Sequence, residues 1–316
     1  MHFDISAACS AITGIAVNTP LLASPALSDM SGAPVVLKAE NLQVTGSFKV
    51  RGAANHILSL AQEERARGVV TCSSGNHGRA VAYVAELLGI TATVCVPEWV
   101  DEAKLDAIRS HGAEAVLYGR TYDEAEARSF EIRDERGLSY VHPFDDPHVI
   151  AGQGTIGVEI LEKVPSLKTV VVPLSGGGLI GGIALAVKNH DPSIRVIGVS
   201  AERARVMHES LREGRPVEFP EEETIASALS GGIGLDNQYT FRLVRDLVDE
   251  YLLVSEEEVA EAMAFAAREQ KFVIEGGGAV GIAALLFNKV GGIDGDIAAV
   301  ISGGNVNLQT YAGIIS

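Results

Sequence analysis

The stretch KTVVVPLSGGGLIGGIALAV (168–187) carries three signals in one run. Val170, Val171 and Val172 are consecutive β-branched residues, which reads as a strand buried on both faces, as in a parallel sheet. Ser175–Gly178 offers almost no side chain to shield its backbone N–H groups. From Leu179 on, a helix is expected over 179–189. A glycine loop between a strand's carboxyl end and a helix's amino end makes an anion site from amides and helix dipole. It also lies where open α/β sheets bind their ligands. The loop lacks the Lys-Ser/Thr of a P-loop, and its spacing is a poor dinucleotide fingerprint. For this run by itself, a tight turn and a phosphate cradle are both open.

The same grammar repeats along the chain. PVVLKAE (34–40), TATVCVP (91–97), EAVLYG (114–119), KTVVVPL (168–174), RVIGVSAE (195–202) and IAAVIS (297–302) read as strands. Helices are expected at 79–89, 101–111, 122–136, 149–163, 179–189 and 255–270, the last opened by a capping box of Ser255 and Glu258. This alternation implies an α/β fold: open, twisted, mostly parallel sheets flanked by helices. Two strand–helix blocks, 68–147 and 148–316, imply two sheets with a cleft between them. Glycine is 34 of 316 residues, above the usual ~7%. The excess gathers after strands, in SSGNHG (73–78), PLSGGGLIGG (173–182) and ISGGNVN (301–307), and in IEGGGAVG (274–281) before another helix. Several such loops at strand ends favour one shared site.

Bulk properties narrow the function. The formal net charge of −16 argues against nucleic acid or an anionic membrane as partner. Cys9, Cys72 and Cys95 are odd in number and show no metal-ligand spacing, which points to reduced thiols in a cytoplasmic protein. The N-terminus carries Asp4 and no basic stretch, so it does not read as a signal peptide, and no apolar run approaches the ~20 residues of a membrane span.

One lysine stands out. In TGSFKVRG (45–52), Lys49 lies between Phe48 and Val50 in a strand-like or turn-like run, while Arg51 reads as an ordinary solvated cation. Apolar enclosure favours the neutral amine, as a reactive lysine requires. A lysine snorkelling from a strand edge fits SFKVRG equally. Taken with a phosphate loop, a reactive lysine points to pyridoxal phosphate.

Five segments, ENLQVTGSFKVRGA (40–53), SSGNHGRAVA (73–82), AGQGTIGVEIL (151–161), PLSGGGLIGGIA (173–184) and ISGGNVN (301–307), occur in the order seen in fold-type-II pyridoxal-phosphate enzymes. The chain resembles the serine/threonine dehydratase and serine racemase branch from TPLLAS (19–24) to Asn307. The resemblance implies a tryptophan-synthase-β-like fold. It implies a large cofactor-binding domain of 1–67 and 148–316 and a small, mobile domain of 68–147. It also implies roles. Lys49 is the Schiff-base lysine and the acceptor of the α-proton. Phe48 packs beside the ring, and Asn76 bonds the ring hydroxyl. Ser175, Gly176, Gly177, Gly178 and Leu179 bind the phosphate through backbone amides. Ser302 faces the pyridine nitrogen. Ser73, Ser74, Gly75 and His77 line the substrate-carboxylate loop, and in serine racemase the residue matching Ser74 is the acid/base on the second face. A homodimer is expected from the family alone.

A hydroxyl at Ser302, unlike a carboxylate, does not keep the ring nitrogen protonated. The weaker electron sink suits prompt β-elimination, which implies a dehydratase releasing a 2-oxo acid and ammonia. A racemase, a β-replacement enzyme, an inactive amino-acid-binding module and a phosphate-sugar or nucleotide binder are the competing readings. Two segments depart from the branch: Ala226-Ser227-Ala228 followed by LSGGIGLDNQYTF (229–241), and EGGGAVG (275–281). They resemble hydroxyectoine-utilisation dehydratases, and their small residues imply room for a larger or more polar substrate than serine. In the segment matching a divalent-cation site, Glu202 fits the carboxylate but His208 stands where an aspartate is usual, so a metal is left open. No feedback-sensing domain is expected after Asn307.

Overall fold

Val170–Val172 do form a strand buried on both faces, and the two faces meet different helices. In the computed structural model, which describes residues 3–316, the strands are β1 (Leu21–Ala23), β2 (Val35–Ala39), β3 (Val69–Cys72), β4 (Ala92–Val96), β5 (Glu114–Leu117), β6 (Ser139–Tyr140), β7 (Leu167–Pro173), β8 (Arg195–Ala201), β9 (Glu250–Val254) and β10 (Asp296–Ile301). The helices are α1 (Ile5–Ala11), α2 (Pro25–Ser31), α3 (Lys49–Ser59), α4 (Gln62–Arg67), α5 (Asn76–Leu88), α6 (Glu102–Arg109), α7 (Tyr122–Arg136), α8 (Pro147–Lys163), α9 (Gly178–His190), α10 (Val206–Glu213), α11 (Thr240–Leu247), α12 (Glu256–Phe265), α13 (Gly276–Leu286) and α14 (Leu308–Ile315). The helix expected over 255–270 is α12 followed by a π-helical turn at 266–270, and its capping box forms, with Ser255 Oγ accepting from Glu258 N at 3.3 Å.

The chain divides into two compact units. One takes in residues up to Val17 with Lys49–Gly152; the other is Asn18–Phe48 with Gln153–Ser316. Among the described residues, the first unit therefore includes 3–17 and 49–67, which the sequence reading placed with the large domain. The reason is packing: Ile12 and the α3 residues Val50, Ala53, Ala54 and Ile57 share one core with Val69, Val81, Val84 and Val94. That core covers one side of a parallel sheet of order β5-β4-β3-β6, and Ile132 of α7 meets Val70 and Cys95 on the other.

The second unit has a six-stranded sheet of order β1-β2-β10-β7-β8-β9, parallel except for β1 on β2. Val171, Ile197, Val199, Ile297 and Ala299 pack on one side with Val259, Met263, Val280 and Ile282. Val170, Val172, Val196, Ala298 and Val300 pack on the other with Ile156, Ile160, Ile183 and Val244. Because β2, β10 and β7 are adjacent and parallel, the loops after them emerge side by side at one edge.

Two charges sit where the sequence implied solvent or gave no signal. Arg51 is buried on α3, and its guanidinium donates to the Val17 carbonyl at 3.0 Å, so it is not a solvated cation. Lys38, the penultimate residue of β2, is fully buried; it pairs with Glu159 of α8, lies 3.8 Å from the buried Glu40 and donates to the Thr19 carbonyl at 2.7 Å. Thr19 Oγ1 in turn donates to Glu40. Removing one partner from such a group strands the others without water. Lys38→Met is expected to lower stability by about 3–5 kcal/mol in urea unfolding, with Lys38→Arg losing less. A change below about 1 kcal/mol in Lys38→Met would show that the pair's charges are already solvated.

Candidate active site

In the second unit, three segments converge on the carboxyl edge of the sheet. Ser47 bridges to Gly303, Phe48 N donates to the Ser302 carbonyl at 3.1 Å, and Gly304 N donates to the Gly46 carbonyl at 2.9 Å. Glu275 N donates to the Gly303 carbonyl at 3.2 Å. Ser302 is 4% exposed, and its hydroxyl reaches only the Gly277 carbonyl, at a long 3.4 Å. Phe48 is half-buried against the core beneath the β7 loop.

That loop is a cradle. Gly177 has φ +86°, and a Cβ there would lie 2.9 Å from Thr240 Cβ and 3.0 Å from Met207 Cε, so both conformation and space demand glycine. It caps α9 without any side-chain bond, and the first turn of α9 holds no acidic residue. The opening N–H groups of a helix have no carbonyl one turn back. Gly178 and Leu179 thus present buried donors to an anion. Ser175 contributes only its backbone, because its hydroxyl is spent on the Leu229 carbonyl at 2.8 Å.

The glycines at 276–278 do not make room. A Cβ on Gly276 would sit 2.3 Å from the Ile225 carbonyl oxygen, and one on Gly278 would sit 2.5 Å from that of Gly303. Backbone fills that space at Gly276 and Gly278, while a Cβ on Gly277 would lie 3.1 Å from Ala228 Cβ and 3.3 Å from Leu229 Cγ. The expected enlargement for a bulkier substrate is therefore absent at this point, and the signal misread was small size taken for empty volume.

In the first unit, Lys49 is the first residue of α3 rather than part of a strand, half-buried, with Nζ donating to the Pro143 carbonyl at 2.7 Å. Ser73, Ser74 and Gly75 form the turn between β3 and α5, with Asn76 and His77 opening the helix. The turn is tight: Ser73 Oγ accepts from Gly75 N at 3.2 Å, and a Cβ on Gly78 would meet the Ser73 carbonyl oxygen at 2.1 Å. Ser74 and Asn76 are half-buried and Gly75 is exposed. His77 is 2% exposed and its Nε2 is 2.9 Å from the Val141 carbonyl oxygen, so Nε2 carries the hydrogen. Its Nδ1 has no protein partner. Burial, followed by the charge of Lys49, holds the imidazole well below its usual pKa. Lys49 and His77 thus share one electrostatic neighbourhood and one segment, 141–143.

Several residues that matter here gave no sequence signal. Val141 and Pro143 act through carbonyls, which no side-chain pattern reveals. Tyr122, at the start of α7, donates its hydroxyl to the Cys72 carbonyl at 3.1 Å, directly before Ser73. Cys72 and Cys95 face each other across β3 and β4 as buried free thiols, and burial pushes Cys95 up to about 11 and Cys72 higher. Glu202 is exposed at the end of β8, and among the described residues no group of three or more His, Cys, Asp or Glu is arranged to hold a metal ion. No helix among them is long and apolar enough to cross a membrane.

Comparison with known proteins agrees with this arrangement. The family described as pyridoxal-phosphate dependent enzyme matches residues 12–303. An L-threonine ammonia-lyase of Thermotoga maritima is 44% identical over 313 residues, covering 99% of this chain and 77% of the relative. A catabolic L-threonine dehydratase of Staphylococcus aureus is 43% identical over 316 residues, covering 99% of this chain and 91% of the relative. The structure of maize serine racemase superposes with a TM-score of 0.93 at 36% identity, over 98% of this chain and 95% of that one.

The buried His77 sets a pH test. An unfolded histidine gains its proton near pH 6.5, whereas the folded His77 stays neutral well below that. Below about pH 6.5 the unfolded state therefore binds more protons, and stability falls with falling pH by up to about 1.4 kcal/mol per unit. Above that pH the residue contributes no slope. His77→Gln is expected to flatten this part of the stability–pH curve between pH 5 and 6.5. An unchanged slope would show that His77 protonates freely in the folded protein.

Proposed function

Because the chain belongs to the pyridoxal-phosphate dependent enzymes, in the fold-type-II branch, we propose that it eliminates the β-hydroxyl of a small β-hydroxy amino acid, L-threonine or L-serine, giving a 2-oxo acid and ammonia. The observation that carries this reading is Ser302: a buried neutral hydroxyl at the end of β10, beside the amide cradle after β7. The ammonia-lyase and dehydratase relatives support it. The filled space at Gly276–Gly278 favours a substrate of ordinary size.

The donor sets fit the cofactor. The amides from Gly176 to Leu179 suit its phosphate, Ser302 suits an unprotonated ring nitrogen, Phe48 suits a ring face, Asn76 the ring hydroxyl, and the Lys49 amine suits covalent attachment. Bound pyridoxal phosphate supplies the electron sink that makes the α-proton removable. Lys49 takes that proton. The Ser73–His77 turn, with amides at the start of α5, holds the substrate carboxylate. The β-hydroxyl would leave as water, the α-proton taken by Lys49 balancing the one it gains, and the released enamine would add water to give the 2-oxo acid and ammonia. Ser302 would hold the ring nitrogen without adding charge, leaving the cofactor a weaker electron sink, as prompt elimination requires. Racemisation through Ser74 on the second face is the alternative that the serine racemase likeness supports. The reading takes the protein as a cytoplasmic homodimer: three free cysteines suit a reducing compartment, and the dimer rests on the family resemblance.

Purified protein with L-threonine is expected to release 2-oxobutanoate and ammonia in equal amounts, with racemised substrate a minor product. Borohydride reduction and peptide mapping should place the cofactor on Lys49; an adduct on Lys38 or Lys104 overturns that role. Ser302→Asp is expected to keep the cofactor's visible absorbance while kcat drops by about 10²–10³, the usual cost of a mismatched group at a reacting centre. Full activity in Ser302→Asp would remove the electron-sink argument.

A further inference from the structure

Lys49 and His56 leave the same helix, α3, about two turns apart, and both reach one short segment, 143–148. Lys49 Nζ donates to the Pro143 carbonyl at 2.7 Å. His56 Nδ1 lies 3.0 Å from Asp146 Oδ1. Beside it, Asn55 Nδ2 donates to the His148 carbonyl at 2.7 Å. The same Asp146 oxygen accepts the N–H groups of His148 and Val149 at 2.8 and 2.9 Å, which fixes the start of α8. The intervening turn is also locked, because His142 Nδ1 accepts from Phe144 N at 3.1 Å and Asp145 N at 2.7 Å. Burial works to raise the Asp146 carboxyl's pKa, but the His56 hydrogen bond and charge prevail and hold it below its usual value. Asp146 is therefore an anion, and His56 Nδ1–H is the donor. Both side chains are largely buried, at 10% and 19% exposure, so the tie is more than a surface pair.

We propose that His56 and Asp146 are positioning residues for Lys49: with Asn55 they hold the Pro143 carbonyl where it takes an N–H of the Lys49 amine whenever that amine is free of the cofactor. The inference rests on the reading of Lys49 as cofactor lysine and proton acceptor. An amine with one N–H tied to a carbonyl has its lone pair aimed rather than rotating. The same carbonyl then makes a charge-assisted bond to the ammonium formed when Lys49 takes a proton. Neither effect needs a further side chain near the reacting atoms, and both depend on the distance from α3 to the 143–148 segment. His56 lies seven residues beyond the lysine, outside SFKVRG, and its edge-on contact with His148 and its bond to Asp146 both act on the same segment, so its part in the reaction is carried through that segment.

The test has two arms. In the holoenzyme, His56→Ala is expected to lower kcat for L-threonine about tenfold with KM within about twofold, since substrate binding is untouched. His56→Gln, whose amide N–H can still reach Asp146, should regain most of the loss. In the full chain freed of cofactor, acetylation of Lys49 at pH 8, scored by peptide mapping, should run about three- to tenfold faster in His56→Ala, because a carbonyl-held ammonium gives up its proton less readily. Wild-type kcat and wild-type labelling in His56→Ala, with only a lower melting temperature, make the pair a structural tie and overturn the proposal. Failure of the wild-type enzyme to turn over L-threonine refutes the assigned substrate instead, and the labelling comparison then decides the positioning role by itself.

Discussion

The absence of a side chain at Gly303 governs the second unit's functional edge. A Cβ there would lie 2.1 Å from Glu275 Oε1 and 3.1 Å from Ser47 Cβ. A Cβ on Gly278 would lie 2.5 Å from the Gly303 carbonyl oxygen. Three segments distant in sequence, 45–48, 275–278 and 302–304, meet closely because glycine leaves room for the Glu275 and Ser47 side chains at Gly303 and for main chain at Gly278. Protein interiors tolerate little misfit, so contacts this close leave few alternative arrangements. Ser302 gains its burial from that meeting, and Phe48 is tied to it through a main-chain bond. Phe48 and Ser302, the residues proposed to face the cofactor, are thus tied to each other through main chain.

This explains which parts of the site could be read from sequence. Glycine loops after Val-rich strands announce themselves, because glycine is needed where the chain turns with positive φ or where an amide faces an anion. Gly177 meets the first condition with φ +86°, and the glycine turn before α9 lies where the pattern put it. The same residue type misled at 276–278, where glycine signals contact rather than space. A sequence shows that a side chain is missing but not what fills its place. Lys49 was singled out by its neighbours, yet its position as the first residue of α3 was hidden by the β-like flank SFKV. Arg51 reads as solvated until Val17 is known to supply its carbonyl. The domain boundary moved for a related reason: α3 belongs to the core its apolar face enters, which the order of elements along the chain does not disclose.

Electrostatics divide the described side chains into two regimes. Away from the site, Lys38 is buried with two carboxylates, and such a group does little for net stability while penalising any register that breaks it. It sits in the strand that leads into residues 40–48, so misplacing β2 would expose the cost at once. In the second unit, the groups proposed to face the cofactor are neutral: Ser302 is a hydroxyl and the turn before α9 offers amides. In the first unit, burial and then the charge of Lys49 keep His77 uncharged.

That neutrality bears on the chemistry. A carboxylate opposite a ring nitrogen would draw a proton onto it and deepen the electron sink. A protonated histidine beside Lys49 would raise the cost of forming a second positive charge when the lysine accepts a proton. On the proposed reading, the proton taken during turnover goes to Lys49, whose amine already donates to the Pro143 carbonyl. A single proton transfer is then eased, and little prolongs the carbanion that follows. That balance favours loss of a β-substituent over the slower fates open to the same intermediate charge.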